Sequence, residues 1–350
     1  MALMANEDGT QESSLGSGAG DDTLPKMGPL AVLQNPLAKD KFLVFSSSPQ
    51  RTVTVEHRKW DGPTGITISP NAGHEFSPLL AYPSSLTALV LEDTICAFGI
   101  VGDEGDYKLA LVSPGPQTAP QLSPTTTSLA GFSTSKADQA YLYFQGTDKG
   151  VPVLREWVCR LSNFTKPSAS PIDKSLPNFL PGTKLAAATD NRGNRWLVYQ
   201  AKDSTVCVYN VKTRANVRIE TTNPLVDSVK PTYLGVSVAP ADKATGRTAR
   251  VYVYYVGSDG TVHVIDGEVS EKDQLLSFAV KAKPGPTFDV QSGESTVAKP
   301  EEWSQIAVVP WLSRTVPDPD NEGQTLPKPA NVLFYFDGDS LRQIECDEWK

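Results

Sequence analysis

Three short stretches of the chain pair a carboxylate with a tryptophan: EHRKW (Glu56 to Trp60), REW (Arg155 to Trp157) and ECDEW (Glu345 to Trp349). A flat aromatic ring beside a carboxylate or guanidinium can stack on a ring-shaped ligand while the charged group hydrogen-bonds the ligand's polar rim. The competing use of such a tryptophan is structural, as a plug between packed elements. Other chemistry is missing. There is no nucleophile elbow, phosphate loop or metalloprotease motif. The histidines, His57, His74 and His263, are scattered. No cysteine or histidine pair has ligand spacing, so neither a metal nor a cofactor is expected. Asn163-Phe164-Thr165 is a glycosylation acceptor only in a secreted chain.

The elements that carry these stretches repeat. AYLYFQGTDKGVPVLREW, from Ala140, reads as an aromatic strand, a polar turn and a second strand. Versions of it start at Lys41, Thr94, Asn194, Ala249 and Asn331. The aromatic residue late in each first strand (Phe45, Phe98, Phe144, Tyr199, Tyr254, Phe336) serves as a ruler, with intervals of 53, 46, 55, 55 and 82 residues. Upstream of each lies a run of small and apolar residues, such as PLAVLQN from Pro29, TKLAAATD from Thr183 and SQIAVVPW from Ser304. Small side chains suit an innermost strand, where units crowd around an axis. These inner strands are expected to begin near Leu30, Leu86, Leu129, Leu185, Leu234 and Ile306. Fourth strands follow at GITIS (Gly65), NVRIE (Asn216) and LLSFAV (Leu275). Four antiparallel strands in each of six units predict an all-β fold, a six-bladed β-propeller. The alternative is a pair of β-sandwiches.

Composition sets further bounds. The propeller is expected to occupy 24–350 as one domain, after a polar and acidic segment, 1–23, expected to be disordered. That segment lacks the basic start and apolar middle of a secretory signal, which points to a cytoplasmic protein unless a leader was removed. A net charge of −8 argues against a nucleic-acid partner. No apolar run is long enough to span a membrane as a helix. Cys96, Cys159, Cys207 and Cys346 fall on strands of four different blades, too far apart to bridge, so free buried thiols are expected. The long last interval contains a segment, Lys281 to Trp303, that could fold over one face as a lid. Because the chain stops soon after Trp349, the fourth strand of blade 6 is expected from the segment before Pro29.

The blade segments resemble those of the fungal fucose-specific lectins, six-bladed propellers that bind fucose between adjacent blades. The resemblance runs from about Pro29 to Lys350 as a strand pattern. It implies sites made of an arginine opening the second strand, a glutamate on the third strand, and aromatics from the next blade. Glu56, Glu156 and Glu345 match the glutamate, and Trp60, Trp157 and Trp349 an aromatic. The arginine position holds Tyr141 in blade 3 and Trp196 in blade 4, with Arg195 and Arg250 one residue out of register. On a strand that shift sends a side chain to the opposite face. The resemblance thus implies eroded sugar sites: a lectin with degenerate sites and weak carbohydrate binding.

The chain is also similar in appearance to the hetero-Diels–Alderases of fungal tropolone sesquiterpenoid biosynthesis, which join an apolar terpene to a reactive quinone methide. A cycloaddition needs two apolar partners held in one orientation, with a donor on the developing oxyanion. Under that reading the ligand is an apolar polyketide or terpenoid at the mouth of the axis. Trp311 with Tyr199 or Trp157 stacks the reactant, and Arg314 or Arg155 polarises its carbonyl. A third class, a structural interaction platform, would bind neither; a homodimer is compatible with any of the three.

Overall fold

The computed structural model describes residues 28–59, 62–68, 79–172, 176, 178–219, 231–242, 246–270, 276–278, 283–284, 288–289, 298–319, 321 and 323–349. Alternating side chains give each predicted segment two faces, and the segments pair as antiparallel strands. The result is a six-bladed β-propeller of four-stranded sheets. From inner to outer strand, blade 1 contains Leu30–Gln34, Lys41–Ser47, Val53–Lys59 and Gly62–Ile68; blade 2 contains Leu86–Leu91, Thr94–Val101, Lys108–Ser113 and Gln117–Thr118. Blade 3 is Leu129–Ser133, Ala140–Asp148, Val151–Cys159 and Ala169–Pro171; blade 4 is Ala186–Thr189, Arg195–Gln200, Val206–Asn210 and Ala215–Arg218. Blade 5 is Leu234–Ala239, Arg250–Val256, Val262–Val269 and Leu276–Phe278, with Lys283–Pro284 also paired to its third strand. Among the described residues the helical content is one 3-10 turn, Leu161–Asn163, and no helix is long and apolar enough to cross a membrane.

Blade 6 departs from expectation. Its inner, second and third strands are Ala307–Trp311, Ala330–Asp337 and Ser340–Glu348, and its outer strand is Phe288–Asp289. The segment before Pro29, expected in that place, lies outside the described residues up to position 27, and Phe288–Asp289 holds the outer position. Blade 1 builds its own four strands from Leu30 onward, and the extra residues before Trp303 supply the outer strand of blade 6 locally. That also revises the lid: of the described pieces of the segment, Lys283–Pro284 and Phe288–Asp289 lie on the outer edges of blades 5 and 6, while Ala298 and Trp303 pack into interblade cores. The remaining residues of 281–297 lie outside the described residues, as do 1–23. A second insertion lengthens the interval: a hairpin, Thr315–Pro317 with Thr325–Pro327, sits between the inner and second strands of blade 6.

The core of the protein is divided. Six apolar clusters lie between blades 1 and 2, 2 and 3, 3 and 4, 4 and 5, 5 and 6, and 6 and 1. Each blade is buried on both faces, which makes its strands nearly continuous in apolar residues. Trp157 and Trp196 are fully buried between blades 2 and 3 and between blades 4 and 5. Side chains of that size contribute about 2 to 3 kcal/mol each through burial. The four cysteines are free and buried. Cys96 and Cys159, from different blades, nevertheless share the core between blades 2 and 3. Burial pushes their thiols up to about 11 and about 12, which keeps them protonated and unreactive.

Closure depends on polar groups near the axis. Every inner strand ends its sheet, so its edge toward the axis carries unpaired backbone groups. Gln305 satisfies several of them at once. Its Oε1 accepts from Leu30 N and Leu86 N, both at 3.0 Å, and its Nε2 donates to Leu86 O at 3.0 Å. Its own backbone N–H donates to Gly28 O at 2.9 Å. Gly28 must be glycine here, since a Cβ would stand 2.8 Å from Trp303 O. One side chain of blade 6 thereby holds the first strands of blades 1 and 2. Similar bridges recur at the same end: Gln145 Nε2 donates to Thr183 O at 2.9 Å, and Gln200 Oε1 accepts from Thr232 N at 3.0 Å.

Gln305→Ala would leave three backbone groups unpaired, and chemical denaturation is expected to register a loss of about 2 to 4 kcal/mol. The exposed Gln117→Ala should stay within about 0.5 kcal/mol of the parent. Equal, small losses in both variants would show that the clasp does not close the ring.

Candidate functional site

The carboxylates of the three sequence motifs all sit on third strands, and the neighbouring strand fixes which blade each one faces. Glu56 is opposite Val44, whose side chain belongs to the core between blades 6 and 1. Glu156 is opposite Tyr143, in the core between blades 3 and 4. Glu345 is opposite Val332, again between blades 6 and 1.

Each carboxylate has a guanidinium partner, which corrects the expectation that the cation was lost. Glu56 Oε1 accepts from Arg58 Nε at 2.8 Å. Arg58 lies two residues along the same strand and hence on the same face, and its Nη1 also donates to Leu341 O of blade 6 at 3.2 Å. Glu156 Oε2 accepts from Arg195 Nη1 at 2.7 Å and from the Tyr143 hydroxyl at 2.8 Å. The Arg195 guanidinium also lies 4.6 Å from the centre of the Tyr141 ring, a cation–π contact. Arg195 does face the other way from Trp196, and that direction takes it to the glutamate of the preceding blade. Glu345 Oε1 accepts from Arg314 Nη2, while Arg314 Nη1 donates to Lys328 O at 2.9 Å. Arg250 similarly pairs with Asp266 of its own blade.

The tryptophans take the structural role. Trp157 is 0% exposed and packs on Phe164 at 5.2 Å. Trp349 is buried between blades 5 and 6, where its Nε1 donates to Asn331 Oδ1 at 3.0 Å. Trp311, 8% exposed, meets Phe42 edge-on between blades 6 and 1. Trp60 lies outside the described residues. Tyr199 is buried between blades 3 and 4, its hydroxyl accepting from Asn216 Nδ2 at 3.0 Å. Arg155 bonds Ala169 O at 3.1 Å and Thr147 O within its own blade. Trp311, Tyr199 and Trp157 therefore occupy three different interblade cores, and no aromatic rim gathers them with Arg314 or Arg155.

The structure does open a polar pocket of about 430 Å³ between blades 6 and 1. Glu56 and Arg58 line it with Ser46, Ser48, Thr54, Asp339 and Phe336, the Ser46 and Thr54 hydroxyls paired with each other at 2.8 Å. The second Glu56 oxygen has no hydrogen-bond partner among the described residues. The pocket can thus offer a carboxylate acceptor, a fixed guanidinium, hydroxyls and one aromatic surface. Of these residues, Arg58 was legible from its two-residue spacing to Glu56, and the SSS run, Ser46 to Ser48, was visible but unassigned. Arg195 was legible only as a residue out of register.

The Tyr143–Glu156–Arg195 group forms a latch between blades 3 and 4. Tyr143 is fully buried, and burial with the adjacent Glu156 charge holds its hydroxyl well above 10. That shift opposes use as a nucleophile, which requires the proton to leave. Among the described residues no cluster of three or more histidine, cysteine or acidic side chains could hold a metal ion. His263, on the third strand of blade 5, is satisfied by the preceding turn, with Nε2 3.1 Å from both Thr261 Oγ1 and Asp259 Oδ1.

No family model matches the chain, and no curated protein matches its sequence. Solved structures do match in fold. The fungal lectin of Aleuria aurantia, described as a six-bladed β-propeller with a novel fucose recognition mode, superposes with a TM-score of 0.54 at 13% identity over 91% of each chain. AofleA from Arthrobotrys oligospora gives 0.53 at 13% identity, covering 92% of this chain and 87% of that one. The sialidase of Trypanosoma rangeli gives 0.51 at 10% identity, over 92% of this chain and 53% of its own. These similarities establish the propeller architecture.

The latch sets a pH dependence. An unfolded tyrosine titrates near 10, whereas folded Tyr143 holds its proton to higher pH. The native state therefore binds more protons above that point, and its stability falls as pH rises past 10. Tyr143→Phe should cost about 1 kcal/mol at neutral pH, through the lost hydrogen bond to Glu156. The gap to the parent should narrow above pH 10, read from denaturation midpoints across the range. A gap that widens there would contradict the assignment.

Proposed function

We propose that this protein is a carbohydrate-binding propeller of the lectin type, whose principal site is the polar pocket between blades 6 and 1. The observation that carries the reading is the Glu56–Arg58 pair set among Ser46, Ser48, Thr54 and Phe336. A sugar presents hydroxyls that donate to a carboxylate and accept from a guanidinium, and an apolar edge that packs on an aromatic ring. Among the described residues nothing bonds the second Glu56 oxygen, which can accept such a donor. Arg58 is anchored through Leu341 O, so its geometry is set before a ligand arrives, which lowers the ordering cost of binding.

Fucose is the first ligand to test, because the Aleuria aurantia propeller of this fold recognises it and Phe336 offers an apolar surface to the methyl group of a 6-deoxy sugar. The expectation of eroded sites rested on the arginine position, which holds Tyr141 and Trp196; Glu56, Glu156 and Glu345 nevertheless each pair with a guanidinium, those of Arg58, Arg195 and Arg314. The cycloaddition reading has less support. It required Trp311, Tyr199 or Trp157 to share a rim with Arg314 or Arg155; these aromatics are buried apart and both guanidiniums are committed to protein groups.

Calorimetric titration with methyl fucoside and a glycan array test the reading. Binding by the parent is expected, and Glu56→Gln should weaken it about tenfold through loss of one charge-assisted hydrogen bond. The variant's melting temperature should stay close to the parent's. Absence of any retained glycan on the array, or unchanged affinity in Glu56→Gln, would refute the proposal.

A further inference from the structure

We propose that the axial channel is a second ligand site, separate from the polar pocket and built for a slender, largely apolar small molecule. The channel has a volume of about 430 Å³ and is walled by the inner strands of all six blades, a size within the usual range for small-molecule sites. Although 21% of the chain is charged, no charged side chain among the described residues lines this cavity. Its wall is formed largely by residues such as Val32, Ala88, Ala187 and Val308.

Of the polar side chains of the wall, all but Ser133 are already engaged. Gln34 Nε2 donates to Lys39 O at 2.6 Å and to Ser313 Oγ at 3.0 Å. Thr87 Oγ1 donates to Gly131 O at 3.1 Å, Thr189 Oγ1 to Asn194 O at 2.9 Å, and Ser237 Oγ to Asn331 Oδ1 at 2.6 Å. Gln305 is tied to Leu30 and Leu86. What remains for a ligand is apolar surface plus Ser133 and some backbone groups on the inner-strand edges. A polyhydroxylated sugar would lose its hydration there without full replacement, a large cost per hydroxyl. A hydrocarbon-rich molecule with one or two polar groups loses little.

The two ends of the channel differ. Gln305 spans three blades where the inner strands begin. At the other end Leu312 lines the channel and is 56% exposed, and Leu37, 91% exposed, lies on the adjoining loop. The two loops are joined by Ser313 Oγ donating to Lys39 O at 2.7 Å. Exposed leucines at a cavity mouth form an apolar doorstep, so the ligand enters there.

The neutral dye N-phenyl-1-naphthylamine, titrated into the full chain, tests the proposal by fluorescence. Binding of one dye per chain is expected, unaffected by saturating methyl fucoside and by Glu56→Gln. Ala88→Phe, which fills the channel, should weaken it about tenfold or more. Leu312→Glu, at an exposed position and so free of packing constraints, should also weaken it; this variant decides the matter if Ala88→Phe fails to fold. Three results would overturn the proposal: a dissociation constant weaker than about 1 mM, unchanged dye binding in the folded channel variants, or displacement of the dye by methyl fucoside.

Discussion

A propeller has no central core, so its closure is the constraint on which everything else depends. Six blades pack face to face, and the apolar contacts that stabilise them lie in six separate layers between blades. Each inner strand leaves an open edge at the axis. The Gln305 amide, shared among blades 6, 1 and 2, answers that problem where the two ends of the ring meet. It pairs edge groups that would otherwise need water, and it fixes the spacing of three inner strands. The interblade sites inherit their geometry from this ring. The pocket holding Glu56 and Arg58 lies at the junction of blades 6 and 1, where Gln305 also acts.

The same architecture explains why charged pairs collect at blade junctions. Each interblade layer is apolar toward the middle of the strands, so a charged residue is tolerated near an end, where it can find a partner across the gap. Arg195 reaching Glu156 and Arg58 reaching Leu341 O are examples. Removing one partner from such a pair leaves a half-buried charge, which costs more than the pair itself contributes. Latch and ligand pocket use the same chemistry. They differ in surroundings: the Tyr143 latch packs against the Tyr141 and Phe132 rings, whereas the Glu56 pair lines a cavity.

Two cavities of similar volume thus present opposite surfaces. One is lined by a carboxylate, a guanidinium and hydroxyls, the other by aliphatic side chains around an axis. A propeller supplies both because interblade gaps expose strand faces and the axis exposes strand edges.

Much of this was legible in the sequence, for a physical reason. Inner strands need small residues and outer hairpins need polar turns, so the six-fold period appears in composition alone. The inner strands begin at Leu30, Leu86, Leu129 and Leu234 as read, and one residue late at Ala186 and Ala307. The spacing of Glu56 and Arg58 on one strand was likewise visible. What the sequence did not determine was facing. Phe45 points toward blade 2 from blade 1, while Phe144, its counterpart on the ruler, points toward blade 2 from blade 3. Both faces of a blade strand are buried, so alternation no longer marks inside from outside, and a slip of one residue leaves no trace in the pattern. Only the packing of blade on blade decided that Arg195 meets Glu156, that Trp157 and Trp311 are plugs, and that Phe288–Asp289 completes the last blade.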